Sequence, residues 1–119
     1  MADGRLTTHV LDTALGRPAA GLKITLYRLG SGAAVKLSEA VTNADGRTNV
    51  PMLAGAAVLP GVYELVFRAG DYLRETGQIE PGVGFLDEVP IRFGVREAGQ
   101  HYHVPLLLSP FAYSTYRGS

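Results

Sequence analysis

Two observations predict an all-β fold, a two-sheet sandwich of seven or eight strands with one short helix. Fifteen glycines and seven prolines fall at intervals between short runs rich in Val, Ile, Leu, Thr and Tyr, the punctuation of strands joined by turns. Within several runs apolar and polar residues alternate, so that one face of each strand is suited to a core and the other to solvent or a ligand. The 119 residues suffice for one two-layer core but not for two, so residues 1–119 are expected to form a single domain.

Each element has its own signal. Residues 6–12 read as the first strand, stopped by Gly16-Arg17-Pro18, and residues 22–29 as the second, alternating with period two and ending at Gly30-Ser31-Gly32. Residues 35–42 run into Asn43-Ala44-Asp45-Gly46, where Asp-Gly predicts a tight hairpin turn with positive backbone dihedrals and residues 47–50 leading back out. Pro60-Gly61 launches a strand over 62–69. Residues 71–76 suit the one helix, with an acidic start and Gly77 as its stop. Strands over 88–95 and 102–108 follow, and the last occupies 111–117 after the Ser109-Pro110 corner. No repeat, low-complexity run or linker interrupts them. A sandwich of this kind has exposed strand edges, which invite pairing with another subunit.

Composition removes whole classes of function. Hydrophobic residues make up 46% of the chain and 11 basic side chains balance 11 acidic ones, which argues against disorder. The Lys and Arg residues are scattered singly, without the basic stripe a nucleic-acid partner would need. The absence of cysteine excludes disulfides, thiolate nucleophiles and Cys-based zinc sites, and fits a reducing compartment. Met1-Ala2-Asp3-Gly4-Arg5 leads into the first strand with no apolar leader core, and no run is long enough to span a membrane. The expectation is a cytoplasmic protein with neither nucleic-acid nor membrane partner.

Few residues remain to carry chemistry. His101 and His103 lie two apart in one predicted strand and therefore share a face; they suit either an exposed surface pair or proton transfer near neutral pH. A zinc site would need a third ligand, with His9 the only other histidine, and catalytic metal is the less favoured reading. Arg47 follows the turn either as a solvated charge or as a planar donor aimed at an oxyanion. Asp12 lies three residues from His9, on the opposite strand face, which weakens a simple Asp-His dyad. No Gly-x-Ser-x-Gly elbow or glycine-rich phosphate loop occurs, so acyl-enzyme chemistry and nucleotide binding lack support.

Larger blocks carry a family resemblance. Leu6-Thr7-Thr8-His9-Val10-Leu11-Asp12-Thr13, Gly16-Arg17-Pro18-Ala19, Asp45-Gly46-Arg47, His101-Tyr102-His103-Val104-Pro105-Leu106-Leu107-Leu108-Ser109-Pro110 and the terminal Tyr116-Arg117-Gly118-Ser119 resemble the 5-hydroxyisourate hydrolases, enzyme relatives of transthyretin. The resemblance spans the chain. It implies a transthyretin-like sandwich and a homotetramer with its site in a channel between dimers. The implied activity is cofactor-free hydrolysis of the cyclic amide of 5-hydroxyisourate, a step of urate breakdown, to 2-oxo-4-hydroxy-4-carboxy-5-ureidoimidazoline. His9, Arg47 and His103 match the family's catalytic positions, with Tyr116, Arg117, Gly118 and Ser119 expected to bind substrate and His101 to stand at the rim. In these positions His9 and His103 are expected to position and deprotonate water and return a proton to the leaving nitrogen, Arg47 to hold the oxyanion or the planar substrate, and the matched residues to need no metal. Residues 84–87, Gly-Phe-Leu-Asp, depart from members that have proline or a further aromatic there. A transthyretin-like carrier is the competing reading, disfavoured by Arg47, the matched histidines and the tail; a sandwich adhesion or carbohydrate module would leave the tail unexplained.

Overall fold

The computed structural model describes residues 4–119; the start of the N-terminal segment read above, residues 1–3, lies outside them. Nine strands and one helix follow in the order β1 (Arg5–Asp12), β2 (Arg17–Pro18), β3 (Lys23–Leu29), β4 (Val35–Val41), β5 (Leu53–Ala54), β6 (Gly61–Arg68), α1 (Ala69–Glu75), β7 (Glu88–Val95), β8 (His101–Ser109) and β9 (Ala112–Thr115), with a single 3-10 turn at Gly55–Ala57. One sheet runs β2-β1-β8-β9 with β5 also pairing β1, and the other runs β4-β3-β6-β7. The predicted sandwich and its lone helix are therefore present. The two additional strands, β2 and β5, are two residues long, too short to leave a period in the sequence.

Alternation decides which face of each strand meets the other sheet. Leu6, Val10, Leu106 and Leu108 from the first sheet pack with Ile24, Leu26, Tyr63, Leu65 and Phe67 from the second in one buried cluster. Burial of this apolar surface supplies the main drive for folding, at about 25 cal/mol per Å². Helix α1 adds Tyr72 and Leu73 to the same cluster. Asp12, on the core side of β1, is tied to that helix: its carboxylate accepts from the Tyr72 hydroxyl at 2.6 Å and from Gln78 Nε2 at 2.8 Å.

One prediction fails. Residues 47–50 do not return beside β4, which pairs only with β3. The chain instead leaves β4 and crosses to the other sheet, where Arg47 forms an isolated antiparallel bridge with His9. The reason lies in Asn43 and Thr42. The Asn43 side-chain oxygen accepts from the backbone N–H of Asp45 at 2.9 Å and of Arg47 at 3.2 Å, closing a turn that needs no strand partner. Buried Thr42 anchors its start, donating to the Ala19 carbonyl at 2.7 Å and accepting from the Leu22 N–H at 2.9 Å. Only Gly46 of the Asp-Gly pair takes a positive φ, at 73°.

Candidate active site

The histidines gather on the outer face of the first sheet. Along β1, Leu6, Thr8, Val10 and Asp12 point inward, leaving Thr7, His9 and Leu11 half-buried on the opposite face. Strand β8 lies parallel to it, with Arg5 opposite His101, Thr7 opposite His103 and His9 opposite Pro105. Since Tyr102, Val104, Leu106 and Leu108 are buried, period two turns His101 and His103 outward beside Thr7 and His9. Asp12 faces the core, as its spacing from His9 predicts.

Arg47 reaches this face because of the sheet-crossing loop. The Val10 N–H donates to the Gly46 carbonyl at 2.8 Å, and a side chain at Gly46 would collide with the carbonyl of Val10 and crowd Pro18. Glycine is thus required twice at this position, for its φ and for the close approach of two backbones. The Asp-Gly signal marks the point where the loop presses against β1 and delivers Arg47 beside His9.

The C-terminal segment closes a second side. The Gly118 N–H donates to the His103 carbonyl at 2.8 Å, and a Cβ on Gly118 would stand 2.5 Å from His103 Cδ2. Further back, the Thr115 hydroxyl donates to the Pro105 carbonyl at 2.8 Å. Ser119 then joins Arg5, Thr7, Arg47, His101 and His103 around an open groove of about 340 Å³. His9 does not line that groove but adjoins it through its bridge to Arg47. Tyr116 and Arg117 turn elsewhere, onto a separate cavity of about 550 Å³ beside Phe93 and Tyr102. The Arg117 guanidinium lies 4.4 Å from the centre of the Tyr102 ring and donates to Gln100 Oε1 at 3.0 Å and the His101 carbonyl at 3.3 Å. Within one chain, then, Gly118 and Ser119 meet the histidines while Tyr116 and Arg117 do not.

One polar residue of this face escapes sequence reasoning. Thr7 Oγ1 stands 2.6 Å from His101 Nε2 and 2.8 Å from His103 Nδ1, between the two rings. Period two places Thr7 on the same face as His9, but only the parallel pairing of β1 with β8 brings it to His101 and His103. All three histidines are shifted downward. Burial first and Arg47 second hold both His9 and His103 below the ordinary imidazole pKa, with a hydrogen bond to the Asp45 backbone partly offsetting this at His9. Burial, then Arg5 and Arg117, lower His101. The downward shift favours the neutral rings near pH 7, able to give or take a proton. Among the described residues no three His, Cys, Asp or Glu side chains are grouped so as to hold a metal ion.

A transthyretin-type sandwich with paired histidines and an arginine on its outer sheet face defines the class. The model of the HIUase/Transthyretin family matches residues 6–118, and the chain belongs to that family. The 5-hydroxyisourate hydrolase of Mesorhizobium japonicum is 65% identical over 98% of this chain and 93% of its own length. The structure of Klebsiella pneumoniae 5-hydroxyisourate hydrolase superposes with a TM-score of 0.79 at 33% identity, covering 100% of both chains. That of (S)-allantoin synthase gives a TM-score of 0.92 at 47% identity; it covers 99% of this chain, which spans only 44% of that longer one.

Proposed function

We propose that this protein hydrolyses 5-hydroxyisourate to 2-oxo-4-hydroxy-4-carboxy-5-ureidoimidazoline in urate breakdown, by acid-base activation of water without a metal. The observation that carries the reading is the gathering of His9, Arg47, His103 and the Gly118–Ser119 terminus on one sheet face from four distant parts of the chain. Two neutral imidazoles supply a base for water and a proton for the leaving ring nitrogen. Arg47, a fixed cation with several N–H donors, stabilises the oxyanion that forms when water adds to the carbonyl.

The groove is open on one side, and a planar substrate needs cover on both faces. A homotetramer that stacks these faces completes the site, and gives Tyr116 and Arg117 of neighbouring chains a route to the substrate. We place the enzyme in the cytoplasm, where its cysteine-free sequence meets no demand for disulfides; among the described residues no helix is long and apolar enough to cross a membrane.

Purified protein mixed with freshly generated 5-hydroxyisourate is expected to hasten the ultraviolet decay of that compound far beyond its spontaneous rate. Folded protein that leaves the decay unchanged overturns the assignment. Dialysis against a chelator should leave the rate intact, because the matched residues need no Lewis acid; activity lost and restored by zinc alone would reverse that part.

A further inference from the structure

Thr7 joins two of the histidines, and the direction of the hydrogen bonds it makes can be worked out from one end. The starting point is Arg5, whose Nη2 lies 3.5 Å from His101 Nδ1. A guanidinium has donors and no acceptor, so the nitrogen it faces is the bare one. Neutral His101 then carries its proton on Nε2, and that nitrogen donates to Thr7 Oγ1 at 2.6 Å. The single hydroxyl hydrogen of Thr7 is left to donate to His103 Nδ1 at 2.8 Å. His103 accepts at Nδ1 and so carries its own proton on Nε2. With His103 cast as the donor, the base falls to His9, the other matched imidazole, which the bridge to Arg47 holds on the same sheet face.

We infer that Thr7 is a positioning residue which, with His101, keeps His103 in the Nε2–H form and feeds it protons, so that His103 acts as the acid of the reaction and His9 as the base. This rests on the hydrolase reading and divides the labour within it. A neutral imidazole becomes an imidazolate if it releases its only proton, unless its other nitrogen receives one in the same event. Thr7 sits where that second proton must come from, and exposed His101 connects Thr7 to solvent.

His9 takes a proton from water, whose oxygen bonds to the carbonyl carbon, and the ring carbon–nitrogen bond breaks. The departing nitrogen takes the His103 Nε2 proton, His103 Nδ1 takes the Thr7 proton, Thr7 takes the His101 Nε2 proton, and His101 Nδ1 takes one from solvent. His9 returns its proton to solvent, so one water is consumed. When product leaves, water restores the proton on His103 Nε2 and the row runs back, because the Arg5 guanidinium repels a proton on His101 Nδ1. Arg117 repels charge on His101 from the tail side, while Arg47 does so at His103.

The test pairs kinetics with the nitrogen-15 spectrum of histidine-labelled protein at pH 8. His103 in the wild type is expected as the Nε2–H tautomer. Thr7→Val keeps the shape but removes the hydroxyl, and should lower kcat about 10-fold, the scale of one lost hydrogen bond, with KM nearly unchanged. The same variant should mix the His103 tautomers, and Thr7→Ser should restore both rate and tautomer. A His103 Nδ1–H tautomer in the wild type overturns the inference even if Thr7→Val fails to fold; so does a folded Thr7→Val with wild-type kcat. Loss of the hydrolase reading is distinguishable, since there the wild type itself would not accelerate the decay of 5-hydroxyisourate.

Discussion

Arg47 acts on the charge state of two of the three histidines. It lowers His9 and His103 alike, second only to burial, and a base that must be neutral to accept a proton works only above its own pKa. The rate should therefore be full at neutral pH and fall as pH drops through a value below the usual imidazole pKa of about 6.5. Arg47→Ala should lower turnover by roughly 10²–10³-fold, the scale of one deleted oxyanion donor, and should also move the acid limb of the remaining activity to higher pH. Steady-state rates across pH check both effects; unchanged kinetics would make Arg47 a mere solvated charge. His103→Asn keeps approximate size but cannot titrate, and is expected to lose about 10²–10⁴-fold in turnover. His101→Asn should cost much less, because His101 is exposed and water can stand in its place at the Thr7 hydroxyl. The opposite ranking, measured on properly folded protein, would reverse the roles within the His-Tyr-His segment. These residues could be singled out from sequence because strand alternation and family-matching blocks both marked them. Thr7 was not, since a threonine in a strand run has no distinguishing neighbour until the parallel pairing of β1 with β8 brings it between two rings.

Elements were legible wherever alternation or a strong stop signal governed them. Strand β7 was expected over the same residues the structure gives it, and α1 within two residues at its start. The loop after β4 was not, because the expectation of a hairpin rested on Asp-Gly alone, whereas the path is decided by the Asn43 side chain and by contact with β1. The link between β1 and α1 was also invisible. Asp12 was recognised only as facing away from His9, yet it gathers the Tyr72 hydroxyl, Gln78 and the Leu15 N–H. Burial opposes its ionisation, but these hydrogen bonds outweigh it, led by that of Tyr72, and its pKa is depressed while that of Tyr72 is pushed up to about 12. A carboxyl with a depressed folded-state pKa contributes stability above its unfolded value, near 3.9, and loses it as pH falls through the folded value. Asp12→Ala leaves buried donors without their acceptor and is expected to cost about 2–4 kcal/mol. Urea unfolding at pH 7 measures this, and the difference from wild type should shrink below pH 4. A loss under about 0.5 kcal/mol would show that the link does not hold α1 to the sheet.

At the scale of the whole molecule, the site faces outward. A sandwich with an interior pocket could work alone, but here the core side of β1 and β8 is filled and the candidate catalytic side chains stand on the outer sheet face, around a groove open to solvent. Strand β9 is exposed along its length and pairs only with β8, leaving its other edge unpaired, an invitation to another chain. Phe111 at the preceding corner, 74% exposed, and Tyr113 and Tyr116 further along add exposed apolar surface. Tyr116 and Arg117, matched to substrate binding by resemblance, do not reach the groove of their own chain. These observations favour a molecule whose site is completed by its copies. Light scattering in the assay buffer is expected to return four times the chain mass of 12.7 kDa, and dilution into the dissociating range should lower activity per chain in step with the fraction of tetramer. A charged replacement in the middle of the β9 edge, Ser114→Lys, stands opposite Leu107, four residues along β8 from His103, and should weaken assembly before it touches the chemistry, so its activity should recover as protein concentration rises. A monomer with full activity per chain at assay concentration would refute both the tetramer and the shared site.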